Sequence, residues 1–209
     1  MKDKTIYSDY GYHDSELTWS NYYIWPALRD YLAQNYIASR RVFEIGCGNG
    51  AMANLFYKEG YDVTGIDLSE SGIKLANKTY PHLQLHLGDV YDDLANQYGR
   101  FPVVICSEVI AHCYSPFALL KTFHALLEDG GVGLITTPYH DYWKNLLIAV
   151  AGRCDDHYGP LWEGGIIKFF SPKTLNLLLK DSDFTTIRFI KVGRIPVFAK
   201  SMIAVVHKD

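Results

Sequence analysis

Cysteine is scarce in this chain: Cys47, Cys106, Cys113 and Cys154 are the only four among 209 residues. They are scattered and form no C-x-x-C pair, so neither a disulfide framework nor a cysteine-based zinc site is expected, and reduced thiols are the default. An excess of one charge is lacking too. Twenty Lys and Arg against 23 Asp and Glu leave a formal −3 at neutral pH. That is too little to gather nucleic acid or anionic lipid over long range, although it leaves room for a local basic patch. Nowhere do about 18 apolar residues run together, and the first residues lack the basic, apolar and small-residue order of a signal peptide. These absences predict a cytoplasmic protein with no membrane insertion and no nucleic-acid partner, as a monomer or a homodimer. What the chain does have is 48% hydrophobic residues over a length that fits one domain with a sizeable core.

From about residue 41 onward, short β-branched runs alternate with amphipathic stretches, the pattern of parallel strands joined through crossover helices. Val42 to Ile45, Asp62 to Ile66, Leu83 to Leu87, Val103 to Ser107 and Val132 to Thr136 read as strands buried on both faces. Between them, Ala51 to Glu59 reads as a helix stopped by Gly60, and Ser69 as the cap of the next. Pro116 opens a helix carrying Phe117, Leu120, His124 and Leu127, ended by Asp129-Gly130-Gly131. Ser171-Pro172 opens another. The last two strands, Thr185 to Lys191 and Phe198 to His207, have no room for a crossover helix between them and must pair antiparallel. The predicted fold is α/β: a Rossmann-like, doubly wound, seven-stranded sheet, mostly parallel with an antiparallel C-terminal hairpin strand, and helices on both faces. Residues 1–40 read as an appended segment, Tyr-rich at first and helical from about Pro26 to Gln34.

The run Glu44-Ile-Gly-Cys-Gly-Asn-Gly50 places Gly46, Gly48 and Gly50 where the first strand turns into a helix. Glycines there let the backbone approach a ligand closely while the helix start offers unpaired N–H groups. The triplet alone does not choose a ligand, since Gly46, Gly48 and Ala51 also satisfy the dinucleotide pattern G-x-G-x-x-A. Glu44 is more telling. A carboxylate at the end of an apolar strand is costly to bury unpaired, and it suits a cation. S-adenosylmethionine carries an α-ammonium and a sulfonium, whereas a pyrophosphate would be repelled. Asp67, 21 positions after Gly46 at the second strand end, fits the carboxylate that accepts from ribose hydroxyls. Asp89, in Gly88-Asp89-Val90 after the third strand, adds an acid on the same edge, placed to receive an adenine amino group.

With these residues the sequence resembles the class I S-adenosylmethionine-dependent methyltransferases, and within them the branch that contains the ubiquinone-biosynthesis O-methyltransferases. The first motif is Val-Phe-Glu-Ile-Gly-Cys-Gly-Asn-Gly at 42–50 and the second Val-Thr-Gly-Ile-Asp-Leu-Ser at 63–69. Gly88-Asp89, Ser-Glu-Val-Ile-Ala-His at 107–112, Leu-Glu-Asp-Gly-Gly at 127–131 and Thr-Thr-Pro at 136–138 continue the match, which covers roughly residues 40–190. The resemblance implies that Glu44, Gly46, Cys47, Gly48, Asp67, Leu68, Asp89 and Val90 hold S-adenosylmethionine, with the backbone near Ser107 facing its methionine part. It also implies a single methyltransferase domain over 1–209. Residues 1–40 would close the cleft, 41–138 bind the cofactor, 139–170 form a lid or substrate insertion, and 171–209 supply the C-terminal helix and antiparallel strands.

Methyl transfer needs the acceptor aligned and, where it has one, its proton removed. Glu108, His112, His140 and Asp141 stand near the fourth and fifth strand ends. His112 and His140 are the expected bases, because imidazole titrates near neutral pH. Some relatives carry Glu-x-x-Glu-His here and hold a divalent metal. This chain has Ala111 in place of the second Glu, so no metal is expected. The aromatic residues between Tyr139 and Phe170, and Tyr7, Tyr10, Tyr12 and Trp19 near the N-terminus, point to a flat or aromatic small-molecule acceptor methylated on oxygen. The alternatives are a non-catalytic protein that binds S-adenosylmethionine, and an NAD-dependent oxidoreductase.

Overall fold

The computed structural model describes residues 10–35, 37, 39–162 and 164–209. Tyr7 lies outside them. Seven strands form one sheet: β1 (Arg41–Ile45), β2 (Asp62–Asp67), β3 (Gln84–Leu87), β4 (Phe101–Ser107), β5 (Leu127–Pro138), β6 (Thr186–Val192) and β7 (Ser201–His207). Their order is β3-β2-β1-β4-β5-β7-β6. β1 to β5 pair in parallel, and β7 inserts antiparallel between β5 and β6. The expected doubly wound sheet with an antiparallel strand in its C-terminal hairpin is what the chain adopts.

Alternation along the strands divides the core in two. Val42, Val63, Val103, Ile105, Leu134 and Val205 face one side of the sheet, where helices α1 (Asn21–Gln34), α2 (Ala51–Lys58) and α3 (Glu70–Thr79) bury Ile24, Leu28, Phe56 and Ala76 against them. Phe43, Ile45, Val104, Cys106, Ile135 and Val206 face the other side. There α4 (Leu94–Tyr98), α5 (Pro116–Leu126) and α8 (Pro172–Lys180) bring Leu94, Leu120, Phe123, Leu175 and Leu179. Each such side chain removes on the order of 2 kcal/mol of apolar surface cost. Helix starts follow the expected chemistry. The Ser69 hydroxyl accepts from the Gly72 N–H at 3.0 Å, and Ser171 and Thr174 form a reciprocal capping box.

Four local readings need correction. α1 starts at Asn21, not Pro26: Ile24, Leu28 and Leu32 form a buried i, i+4, i+8 stripe, and that packing outweighs the N–H missing at Pro26. β3 is an edge strand rather than one buried on both faces, and Leu87 is 52% exposed. α5 stops at Leu126, and Asp129-Gly130-Gly131 already lies within the range of β5, where the Gly130 N–H donates to the Lys208 carbonyl. Finally, the sequence reads Leu146 to Ala151 as a buried helix turn, but α6 (Tyr142–Val150), which the short α7 (Cys154–Tyr158) follows, has no buried residue.

Candidate active site

The carboxyl ends of β1 and β4 meet where the strand order reverses, the position at which open α/β sheets bind ligands. The glycine loop after β1 hangs on the end of β2, because the Gly46 and Cys47 N–H groups both donate to the Ile66 carbonyl, at 2.8 and 2.9 Å. Gly46 has φ +79°, and a Cβ there would run into the Val109 side chain. Only glycine fits. The Gly48 N–H donates to Asp67 Oδ2 at 2.8 Å and the Ser69 N–H to Oδ1 at 2.8 Å. Asp67 thus locks the loop to the start of α3.

Glu44 is 1% exposed, and its Oε2 has no hydrogen-bond partner among the described residues. Burial, and then the neighbouring Asp67 carboxylate, pushes its carboxyl up to about 8. A buried acid left this way is unstable until a cation reaches it. Asp89 lies just past β3, partly buried, with Oδ1 accepting from the Tyr91 N–H at 3.0 Å. Strand order sets Glu44, Asp67 and Asp89 side by side on one edge. Leu68 is 46% exposed beside Asp67, whereas Val90 packs partly into the core and Cys47 is buried, its thiol pushed well up by burial.

The N-terminal segment crosses this loop. Asn49 Nδ2 donates to the carbonyls of Asp14 and Glu16 at 2.9 and 2.8 Å, the Tyr12 N–H donates to Ser71 Oγ, and Tyr80 Oη donates to the Ser15 carbonyl. The Tyr12 ring lies against Gly48. Tyr10 packs tilted against Tyr12 and meets Trp162 edge-on at 5.4 Å, which joins this segment to the 139–170 insertion. Trp19 sits apart, with the Lys200 ammonium over its ring. Asn49, Ser71 and Tyr80 were not singled out in the sequence. The asparagine between two motif glycines was the one available signal.

At the reacting end Glu108 adopts φ +59°, a conformation that costs a non-glycine residue energy. It is held by β5: its N–H donates to Thr136 Oγ1 at 2.9 Å, and the Thr136 hydroxyl donates to Oε1 at 2.9 Å. Burial raises its carboxyl to about 7, against the pull of hydrogen bonds from Thr136 and Ser201 and of the Lys144 charge. Ser107 stands beside it, 3.4 Å from the Thr136 hydroxyl. His112, in the 3-10 turn Ile110–His112, has Nδ1 2.9 and 3.1 Å from the carbonyls of Gly164 and Gly165. Two carbonyl acceptors require a proton on Nδ1, so Nε2 carries the lone pair. The Ile167 and Lys168 N–H groups donate to the Ala111 carbonyl, which ties the insertion to this turn. His140 is 5% exposed, boxed by His157, Tyr158 and Phe169, with Nδ1 3.2 Å from Asn145 Oδ1. Burial drives its basicity down to about 4. Glu108, His112 and His140 do not gather into a metal-holding cluster among the described residues.

A family model for a methyltransferase domain matches residues 18–188. The chain belongs to the methyltransferase-domain family. With that, the oxidoreductase alternative falls. The ubiquinone biosynthesis O-methyltransferase of Psychrobacter arcticus is 29% identical over 167 residues, 73% of this chain and 62% of the relative. The chain therefore spans less than two thirds of that protein's length. Two solved structures share the fold. Magnesium protoporphyrin IX methyltransferase from Synechocystis, determined with S-adenosylhomocysteine, has TM-score 0.67 at 17% identity, over 89% of this chain and 82% of its own. A SAM-dependent methyltransferase from Archaeoglobus fulgidus has TM-score 0.64 at 17% identity, over 88% and 93%. Among the described residues, no helix of the chain is long and apolar enough to cross a membrane.

Proposed function

We propose that this methyltransferase uses S-adenosylmethionine as methyl donor and transfers the methyl group to an oxygen of a small, flat, hydroxylated acceptor. The observation that carries the donor assignment is the buried, unpartnered Glu44 Oε2 beneath the glycine loop. It matches the α-ammonium of S-adenosylmethionine, while Asp67 matches ribose hydroxyls and Asp89 the adenine amino group. When bound, S-adenosylmethionine supplies a carbon activated by its sulfonium. The remaining work belongs to the protein. His112 Nε2 takes the acceptor's proton, with the Gly164 and Gly165 carbonyls stabilising the imidazolium through Nδ1–H. Glu108, fixed by Thr136, borders the acceptor position, and the boxed His140 supports the insertion through Asn145. Residues 10–16 and Trp162 shut water out. Oxygen as the acceptor atom rests on the similarity to the O-methyltransferase relatives.

Calorimetric titration of the purified chain with S-adenosylhomocysteine, beside NAD, tests the donor assignment. Micromolar binding of the first and none of the second is expected. Binding of NAD alone overturns the reading of Glu44. A screen of phenols, amines and carboxylates with labelled S-adenosylmethionine then decides the acceptor atom, and transfer to none of them leaves a protein that binds without catalysis.

A further inference from the structure

Past the ends of β5 and β7 the surface sinks into a cleft of about 770 Å³ between α6 and the β6–β7 connection. That size suits a small molecule. Leu147, Ile148, Ile195 and Phe198 form its apolar walls. Into the same cleft come Lys144, Arg194 and Lys200, and no acidic residue lines it among the described residues. Lys144 is spoken for, since its ammonium donates to the carbonyls of Tyr139, Ala199 and Lys200. Its basicity falls to about 8, through burial first and then the charge of Arg194, against the attraction of Asp141 and Glu108. Among the described residues, neither Arg194 nor Lys200 forms an ion pair with a carboxylate. Lys200 instead lies over the rings of Trp19 and Tyr23, at 4.6 and 5.1 Å. Three cations crowded around an apolar cleft in a chain of net charge −3 repel one another until an anion enters.

The cleft shares a wall with the reacting end. Tyr23, which lines it, is hydrogen-bonded to Ser201 at 3.2 Å, and the Ser201 hydroxyl in turn bonds the Glu108 carboxylate. A molecule whose head is held at Arg194 and Lys200 therefore lies along apolar walls, with Tyr23 and the buried Ser201 between it and Glu108. We infer that this cleft is the acceptor pocket, and that it selects an acceptor with an anionic head, carboxylate or phosphoryl, on an apolar body. The inference rests on the methyl-transfer reading above and adds the charge class of the substrate. Arg194 is the specificity residue, because its planar fork can grip two oxygens at once.

The test uses the full chain saturated with S-adenosylhomocysteine, so that binding of the donor side is verified in the same cell. Three probes with one ring and different heads are titrated: 3,4-dihydroxybenzoate, 3,4-dihydroxyphenylphosphonate and the neutral 3,4-dihydroxybenzamide. At least one anion should bind ten times more tightly than the amide, and the preferred anion identifies the head. Arg194→Gln, and separately Lys200→Gln, should each erase most of that preference without changing S-adenosylhomocysteine affinity. An amide that binds as well as both anions, no binding of any probe, or an Arg194→Gln variant that keeps the preference overturns the inference while the donor assignment stands. Failure of S-adenosylhomocysteine to bind overturns both.

Discussion

Replacing Glu44 by glutamine keeps the shape of the side chain and removes its charge. In the ligand-free protein the carboxyl titrates at about 8, against an ordinary value of 4.5. A folded-state value raised above the unfolded one means that the folded chain holds the proton longer. Stability from this group is then complete below about pH 4.5 and is lost as pH rises through about 8. Each pH unit in that window costs about 1.4 kcal/mol, so the wild type loses on the order of 3 kcal/mol from pH 5 to pH 7 through Glu44 alone. Ligand binding runs the other way. An ammonium beside Glu44 favours the carboxylate, so affinity for S-adenosylhomocysteine should rise about tenfold per pH unit over the same range. At pH 8, Glu44→Gln should bind it roughly a hundredfold more weakly, since an ammonium is then buried without its partner. Urea unfolding of wild type and variant at pH 5, 6, 7 and 8, with calorimetry at the same values, reads both slopes. Parallel stability curves, or a variant within threefold of wild-type affinity at pH 8, refute the reasoning.

Gly46→Ala forces a side chain onto Val109 at φ +79°, and should cost roughly 2 kcal/mol in urea unfolding as well as weakening S-adenosylhomocysteine. Ser171→Ala removes the capping box of α8, with an expected loss of about 1 kcal/mol by thermal or urea unfolding and unchanged ligand affinity. His112→Ala should lower kcat by about 10² to 10⁴ while leaving S-adenosylhomocysteine binding intact, measured on whichever acceptor the screen yields.

The strand ends that make up the proposed donor side are legible in the sequence because their chemistry is local. Glu44, the glycines, Asp67 and Asp89 all stand within a few residues of a strand end, and the strands themselves carry unbroken apolar runs. The reacting side was harder to read because it is assembled from distant parts. Thr136 clamps Glu108 across the β4–β5 pairing, Ser201 reaches it from β7, and Tyr23 comes from α1. None of these has a sequence neighbour that announces the contact. His112 and His140 looked alike in the sequence, as single imidazoles past a strand end. Their surroundings separate them: carbonyls that fix the tautomer at His112, and burial in an aromatic box that depresses the basicity of His140 against the opposing hydrogen bond to Asn145. The start of α1 was misplaced because a proline's local cost was weighed without the tertiary stripe that repays it.

The insertion after β5 has a consequence for how such a protein diversifies. Its first helix, α6, buries none of its residues, and the two hydrophobic clusters of the sheet draw only Tyr139 and Phe170 from the described residues of the 139–170 stretch. Changes of length in such an excursion are cheap, about 0.6 kcal/mol for each doubling. Substitutions on α6 other than at Lys144, whose ammonium holds the carbonyls of Tyr139, Ala199 and Lys200, would similarly leave the sheet's packing untouched. Over generations, then, much of this excursion can change at little cost to the sheet beneath it, outside the contacts that tie it to the His112 turn, while the glycine loop stays under the full constraint of folding.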